Sequence, residues 1–428
     1  MARTDLTHIP VGENWAGSHT FAAEELVHPS SAAEIVGLVR EGRPVRALGS
    51  RHSFTDLADT TGRLVSVDGL PTDLVIDTDA RTAAFAPGIR YGDLAIQLQA
   101  RGWALHNLAS LPHISVAGAV ATGTHGSGDR NGNLATAVAA IEFVDGRGEL
   151  VRLSRSDADF DGAVVALGAL GMVTRITLDI EPTFDVRQDL YDDLPWTAAF
   201  DDFDAIMASA YSVSLFTDWI GGTIPVAWLK SRMDAPAPPE ELFGAAHQRF
   251  DEHMIPGQPA SNTTAQRGVP GPWNDRLAHF KLGFTPSNGD ELQSEYLVPR
   301  PSILPALAAM RELGTKIAPL LLISEVRSMS ADRLWLSGAY DTDAVGVHFT
   351  WKKLPGPVAE LLPEIESRLL PLGARPHWGK VFAAGIEQLE PLYPRLRDFR
   401  VLADKYDPNR LFRNDFLARK LGLSSALS

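Results

Sequence analysis

Apolar positions in roughly the first 180 residues change their spacing from stretch to stretch, and those changes divide this part of the chain into short strands and helices. In "SAAEIVGLVREG", residues 31–42, Ile35, Leu38 and Val39 recur at helical spacing between a serine cap and a glycine stop, which predicts a helix. "YGDLAIQLQARG" (91–102) repeats that pattern, and "SDADFDGAVVALGALG" (156–171) predicts a third helix. "PVRAL", "LVSV", "LVID" and "TAAFAPG" are brief apolar runs bounded by Gly, Pro and Asp, the punctuation of strands. "AAIEFVDGRGELVRLS" predicts a hairpin turning at 145–148, and "GMVTRITLDIEP" a strand that ends at Pro182.

After residue 182 the texture changes. Residues 235–272 are rich in Pro, Gly and polar side chains without a sustained period, and predict a long loop. "LLISEVRSMS", "WLSGAY" and "AVGVHFTWK" alternate like antiparallel strands with one solvated face, and "VAELLPEIESRLL" predicts an amphipathic helix. The last fifty residues are helical and aromatic, and are expected to dock back on the first half.

Composition narrows the functions open to such a chain. Its 428 residues exceed what one core usually serves, so two domains are expected. With 39 basic and 53 acidic residues the net charge is −14, and no basic run offsets it, which argues against nucleic acid as a partner. The first residues lack the apolar core of a signal peptide and no apolar run is long enough to span a bilayer, so no membrane partner and a cytoplasmic location are expected. There is no cysteine, which removes disulfides, thiolate metal sites and cysteine nucleophiles.

Two stretches concentrate candidate chemistry. "SLPHISVAGAVATGTHGSG" (110–128) sets small residues among apolar ones and ends in a glycine-rich loop with Thr124 and His125. "RALGSRHSF" (46–54) runs from a strand into a Gly-Ser turn that carries His52. Small side chains let backbone N–H groups approach an anionic or planar ligand, and two such loops suit a large phosphate-bearing cofactor. Neither is a dinucleotide fingerprint, and "GARPHWGKV" fails as a P-loop in both spacing and its missing hydroxyl. "DADFDG" (157–162) starts like a calcium loop, but position twelve is Gly168 where a glutamate is required. The histidines lack metal-ligand spacing, so no metal is expected. In the second half, Glu325 and Arg327 leave one face of a strand, as do His348 and Thr350, while His377 and Lys380 flank a Trp-Gly turn.

"NWAG" (14–17), "RALGSRHSF", "SVAGAVATGTHGSG", "EVR", "HWGK" and "DPNRLF" occur in an order that resembles the vanillyl-alcohol-oxidase-type flavoprotein superfamily, in its branch of aldonolactone and alditol oxidases. The resemblance spans nearly the whole chain. It implies an α+β fold. A two-subdomain FAD-binding domain of the vanillyl-alcohol-oxidase (PCMH) type is expected over 1–182, and an α+β substrate-binding domain on an antiparallel sheet over 183–375. A C-terminal segment, 376–428, would dock on the FAD domain and complete the active site. The cofactor implied is FAD, bound covalently through one histidine, His52; without cysteine a second tether is impossible. Ala47, Leu48, Gly49, Ser50, Arg51 and Ser53 match positions that line the pyrophosphate. Ser110, Ser115, Gly118, Ala119, Val120, Ala121 and His125 match positions near the flavin or its ribityl chain, Val173 and Ile176 the adenine, and His377 the flavin ring. Ser110, Glu325, Arg327, His348, Thr350 and Lys380 match the substrate site.

The reaction implied is oxidation of the terminal primary hydroxyl of an alditol such as xylitol or sorbitol to the aldose, with hydride passing to flavin N5 and dioxygen giving hydrogen peroxide. Lys380, helped by Glu325 and Arg327, would take the hydroxyl proton, which requires its pKa to fall from about 10.4. A positive His377 or Lys380 would stabilise charge on the reduced ring. An aldonolactone oxidase acting on L-gulono-1,4-lactone, a flavin dehydrogenase, and a non-catalytic flavin or polyol binder are the competing readings. A monomer is expected.

Overall fold

The computed structural model describes residues 11–283 and 289–424. Near the N-terminus, Glu25–Val27, Arg63–Ser66 and Val45–Leu48 form a parallel three-stranded sheet in that spatial order. The helix Ala32–Arg40 lies between the first and last of these in sequence, capped by Ser31, whose hydroxyl accepts from the Glu34 amide. A five-stranded antiparallel sheet follows, in the order Val75–Asp77, Thr82–Phe85, Met172–Asp179, Val138–Val144, Leu150–Ser154. The predicted hairpin at 145–148 is its Val138–Val144 and Leu150–Ser154 pair.

The largest sheet is antiparallel. Its main path runs Glu241–Leu242, Ala245–His247, Asp185–Pro195, Thr223–Arg232, Ser212–Thr217, Leu321–Met329, Ala344–Lys352, Glu291–Pro299 and Arg375–Pro376. Helices Ile303–Glu312 and Pro355–Leu369 pack on one face of it, against the strand Glu291–Pro299. Val347, Phe349 and Trp351 belong to the main core, with Phe349 and Trp351 stacked 4.9 Å apart. Alternate residues of the same strand, Gly346, His348 and Thr350, leave by the opposite face.

Four sequence expectations need correction. The third helix is only Phe160–Ala163, because Leu167 and Gly168 adopt positive φ, 54° and 69°, and turn the chain aside. "WLSGAY" forms turns rather than a strand. Leu321–Met329 and Ala344–Lys352 have no solvated face: their polar alternation reflects a buried cleft, and all but two of their residues are buried. The stretch 235–272 is mostly irregular, but it contributes the short strands Glu241–Leu242, Ala245–His247 and Gly271–Pro272 to the edge of the large sheet.

The C-terminal helices Leu396–Tyr406 and Asp415–Leu421 pack back on the first half. Val45 donates to the Leu411 carbonyl and Gly146 to that of Tyr406. The Asn414 amide donates to the carbonyls of Asp56, Leu57 and Asp59 at 2.9–3.2 Å, and Arg46 reaches Phe412.

Candidate active site

One cleft, about 2220 Å³ with its open mouth included, runs from the N-terminal sheets to the large sheet. Three neighbouring strands build its inner end. Glu295 stands opposite His348, and His348 opposite Glu325, so three polar side chains form one row across the sheet. Arg327 and Thr350 lie two residues along their strands and share that face. The "HWGK" segment runs beside Glu291–Pro299, with His377 donating to the Glu295 carbonyl and Val381 to that of Gln293. A bond from the Phe54 amide to the Gly379 carbonyl, 2.8 Å, then ties this segment to the His52 loop.

Lys380 Nζ lies 2.7 Å from Glu295 Oε2 and donates to His348 Nδ1 at 2.9 Å. His348 Nε2 is 3.0 Å from the Thr350 hydroxyl. Arg327 reaches Glu295 Oε1 at 3.0 Å and the Ser110 hydroxyl at 3.2 Å, and its Nε is 3.4 Å from Glu325. His279 holds the other Glu325 oxygen at 2.7 Å. Burial would raise the Glu325 carboxyl, but Arg327 and His279 outweigh it and hold the group below its usual range. Glu295 is likewise buried yet held well down by Lys380, His125 and Arg327. Burial pushes the Lys380 amine down while Glu295 opposes it. Burial and the Lys380 charge keep His348 and His377 neutral. Of the two groups expected to carry positive charge at the flavin, His377 or Lys380, the His377 ring is pushed toward its neutral form.

At the other end, the Arg51, His52 and Ser53 amides have no protein acceptor among the described residues, a concave set of donors suited to an anion. A Cβ on Gly49 would lie 2.5 Å from the Ser115 hydroxyl, so glycine keeps this turn against 115–118. Burial lowers the His52 ring to about 4 against the Ser50 carbonyl, which favours the charged form, so it stands neutral at physiological pH. Trp15 stacks on it, ring centroids 5.1 Å apart.

Ala47, Leu48, Ser50, Ser53, Ser110, Gly118, Ala119, Val120, Ala121, His125, Val173 and Ile176 all line this same cleft, as do Gly49, Arg51, His52 and Ser115. Glu325, Arg327, His348, Thr350, His377 and Lys380 complete it. Every residue singled out from the sequence is therefore brought together. Arg46, inside the same motif, also borders the cleft, while its guanidinium donates to the carbonyls of Leu57, Leu167, Gly168 and Phe412.

A family profile described as "FAD binding domain" matches residues 23–154, and one described as "D-arabinono-1,4-lactone oxidase" matches 288–420. An alditol oxidase from Streptomyces sp. is 46% identical over 407 residues, 94% of this chain and 97% of that protein. The chain belongs to the alditol oxidase family. More distant from this alditol oxidase family member is an L-gulono-1,4-lactone dehydrogenase from Mycobacterium tuberculosis, 28% identical over 96% of this chain and 99% of its own. Among solved structures, cholesterol oxidase from B. sterolicum superposes with a TM-score of 0.78 at 15% identity, covering 96% of each chain, a likeness of fold.

Sequence reasoning about this alditol oxidase family chain missed Glu295 and His279. Glu295 sits in "ELQSEYLVP", where three other polar residues precede it, and His279 closes an irregular loop. Neither carries a local signal; the one clue was a glutamate inside an otherwise buried strand pattern.

Proposed function

We propose that this protein oxidises the terminal primary hydroxyl of an alditol, such as xylitol or sorbitol, to the corresponding aldose. The single observation that supports it best is the convergence of Glu325, Arg327, Thr350 and Lys380 on the cleft that also receives the His52 loop. The cleft would hold FAD, which would supply the two-electron chemistry: a hydride acceptor for the carbinol carbon, with dioxygen as the final oxidant and hydrogen peroxide as its product. The free amides of 51–53 would donate to its pyrophosphate, and the neutral His52 imidazole would be its single covalent tether. Glu325, as a carboxylate, accepts hydrogen bonds from the polyol, while Arg327, Ser110 and Thr350 orient its other hydroxyls. Lys380 in its neutral form takes the proton of the reacting hydroxyl, and burial makes that form accessible. In this division of labour 1–182 holds FAD, 183–375 the polyol, and 376–428 brings Lys380 to the substrate. The protein works as a monomer in the cytoplasm; among the described residues no helix is long and apolar enough to cross a membrane.

A second reading, oxidation of an aldonolactone, is favoured by the lactone-oxidase profile over 288–420. Anaerobic mixing of the holoenzyme with xylitol, sorbitol and L-gulono-1,4-lactone separates them. Rapid bleaching of the flavin by the alditols, peroxide formation in air, and a fall of about a hundred-fold or more in bleaching rate for Lys380→Ala are expected. Faster bleaching by the lactone overturns the alditol reading, and an unchanged rate in Lys380→Ala overturns its role as base.

A further inference from the structure

We propose that Glu295 is the positioning carboxylate of this site: by gripping Lys380 and Arg327 together, it fixes where the amine stands and how readily that amine gives up its own proton. The inference rests on the assignment of Lys380 as proton acceptor and adds a residue that acts through it.

The geometry is specific. Oε2 of Glu295 accepts from Lys380 at 2.7 Å and Oε1 from Arg327 at 3.0 Å, while His125 Nε2 stands 3.1 Å from Oε1. The Glu295 side chain is fully buried, so these partners and not water satisfy it. Room is kept for it by Gly346, where a Cβ would stand 2.9 Å from Oε1 and 3.2 Å from the His125 ring. Its place opposite His348 sets side by side the two groups that Lys380 touches.

The charges around the amine come from several elements. His377 belongs to its own turn, His348 to Ala344–Lys352, Glu325 and Arg327 to Leu321–Met329, and His125 to the 123–128 loop. Glu291, on the same strand as Glu295, also lines the cleft. Glu295 is in direct contact with Lys380, and its charge favours the ammonium form against burial and Arg327. Removing that charge therefore frees the neutral amine at lower pH. A merely structural glutamate would change the rate without moving that pH.

The test is Glu295→Gln in the holoenzyme, with flavin reduction by saturating xylitol followed anaerobically across pH. The rising limb is expected to move to lower pH by about one to three units, with a lower plateau because the amine is less firmly placed. A limb at the parent pH overturns the proposal. A second arm needs no substrate: reductive methylation of the folded protein by formaldehyde and cyanoborohydride, with Lys380 read in peptides. Its modification should begin at correspondingly lower pH in the variant; an unchanged profile overturns the proposal. Glu295→Asp keeps the charge but draws it back by a methylene, and a smaller shift in the same direction is expected. If Glu295→Gln does not fold, an unmoved limb in Glu295→Asp overturns the idea. If the unsubstituted holoenzyme is not reduced by xylitol, the reading of the reaction falls, and the methylation arm still decides on Glu295.

Discussion

The His52 ring is pinned from two sides, by Trp15 stacked at 5.1 Å and by the Ser50 carbonyl 2.9 Å from Nδ1. Asn14 fastens the turn that carries Trp15, donating to the Ser53 carbonyl at 3.0 Å, and the Trp15 amide donates to the Arg51 carbonyl. A ring so held and kept neutral by burial is prepared for nucleophilic attack. Acid-precipitated protein is therefore expected to stay yellow, and His52→Ala to release all its flavin into the supernatant. Free flavin from the unsubstituted protein removes the covalent tether from the proposal. His52 and Lys380 could be picked out in the sequence because each sits in a glycine-bearing turn with a distinctive neighbourhood. Glu295 could not, since its meaning comes from Lys380, 85 positions away, and from Arg327 on another strand.

Among the elements, strand pairing does most to build the chemistry. Two-residue spacing correctly placed Glu325 with Arg327, and His348 with Thr350, on common faces. The register that sets Glu295, His348 and Glu325 abreast is a property of three strands at once. Alternation alone suggested a wet face because it reports polarity, and a polar catalytic cleft has the same period as solvent. Close approach of backbone is equally an element-level property. Gly126 follows His125, and a Cβ there would lie 2.5 Å from the Leu108 carbonyl and 2.6 Å from the Asn107 side chain. Gly126→Ala should destabilise the protein by about 1–3 kcal/mol and displace the His125 loop from Asn107 and Leu108. A lower urea midpoint together with flavin lost on gel filtration is the expected result; unchanged behaviour in both would show that the loop has slack.

For the whole molecule, the C-terminal segment closes the structure onto its beginning. Asn414 caps the last helix by accepting from Leu417, while its amide serves the three carbonyls of Asp56, Leu57 and Asp59. Asn414→Ala should lower stability by about 2–3 kcal/mol, from a lost cap and unsatisfied carbonyls, without altering the pH profile of flavin reduction. Denaturant unfolding and that profile, measured on one preparation, check both halves of the expectation.

Local pattern determined the short N-terminal strands, the capped helix at Ala32–Arg40, the 145–148 hairpin and the turns that present His52 and Lys380. Each depends on neighbours within a few residues, where periodicity and turn chemistry act. The shortened third helix, the buried second face of the large sheet and the carboxylate beneath Lys380 were decided only by packing between distant segments. Ion pairing and desolvation depend on distance in space, and a linear order of residues does not contain that distance until the chain has folded.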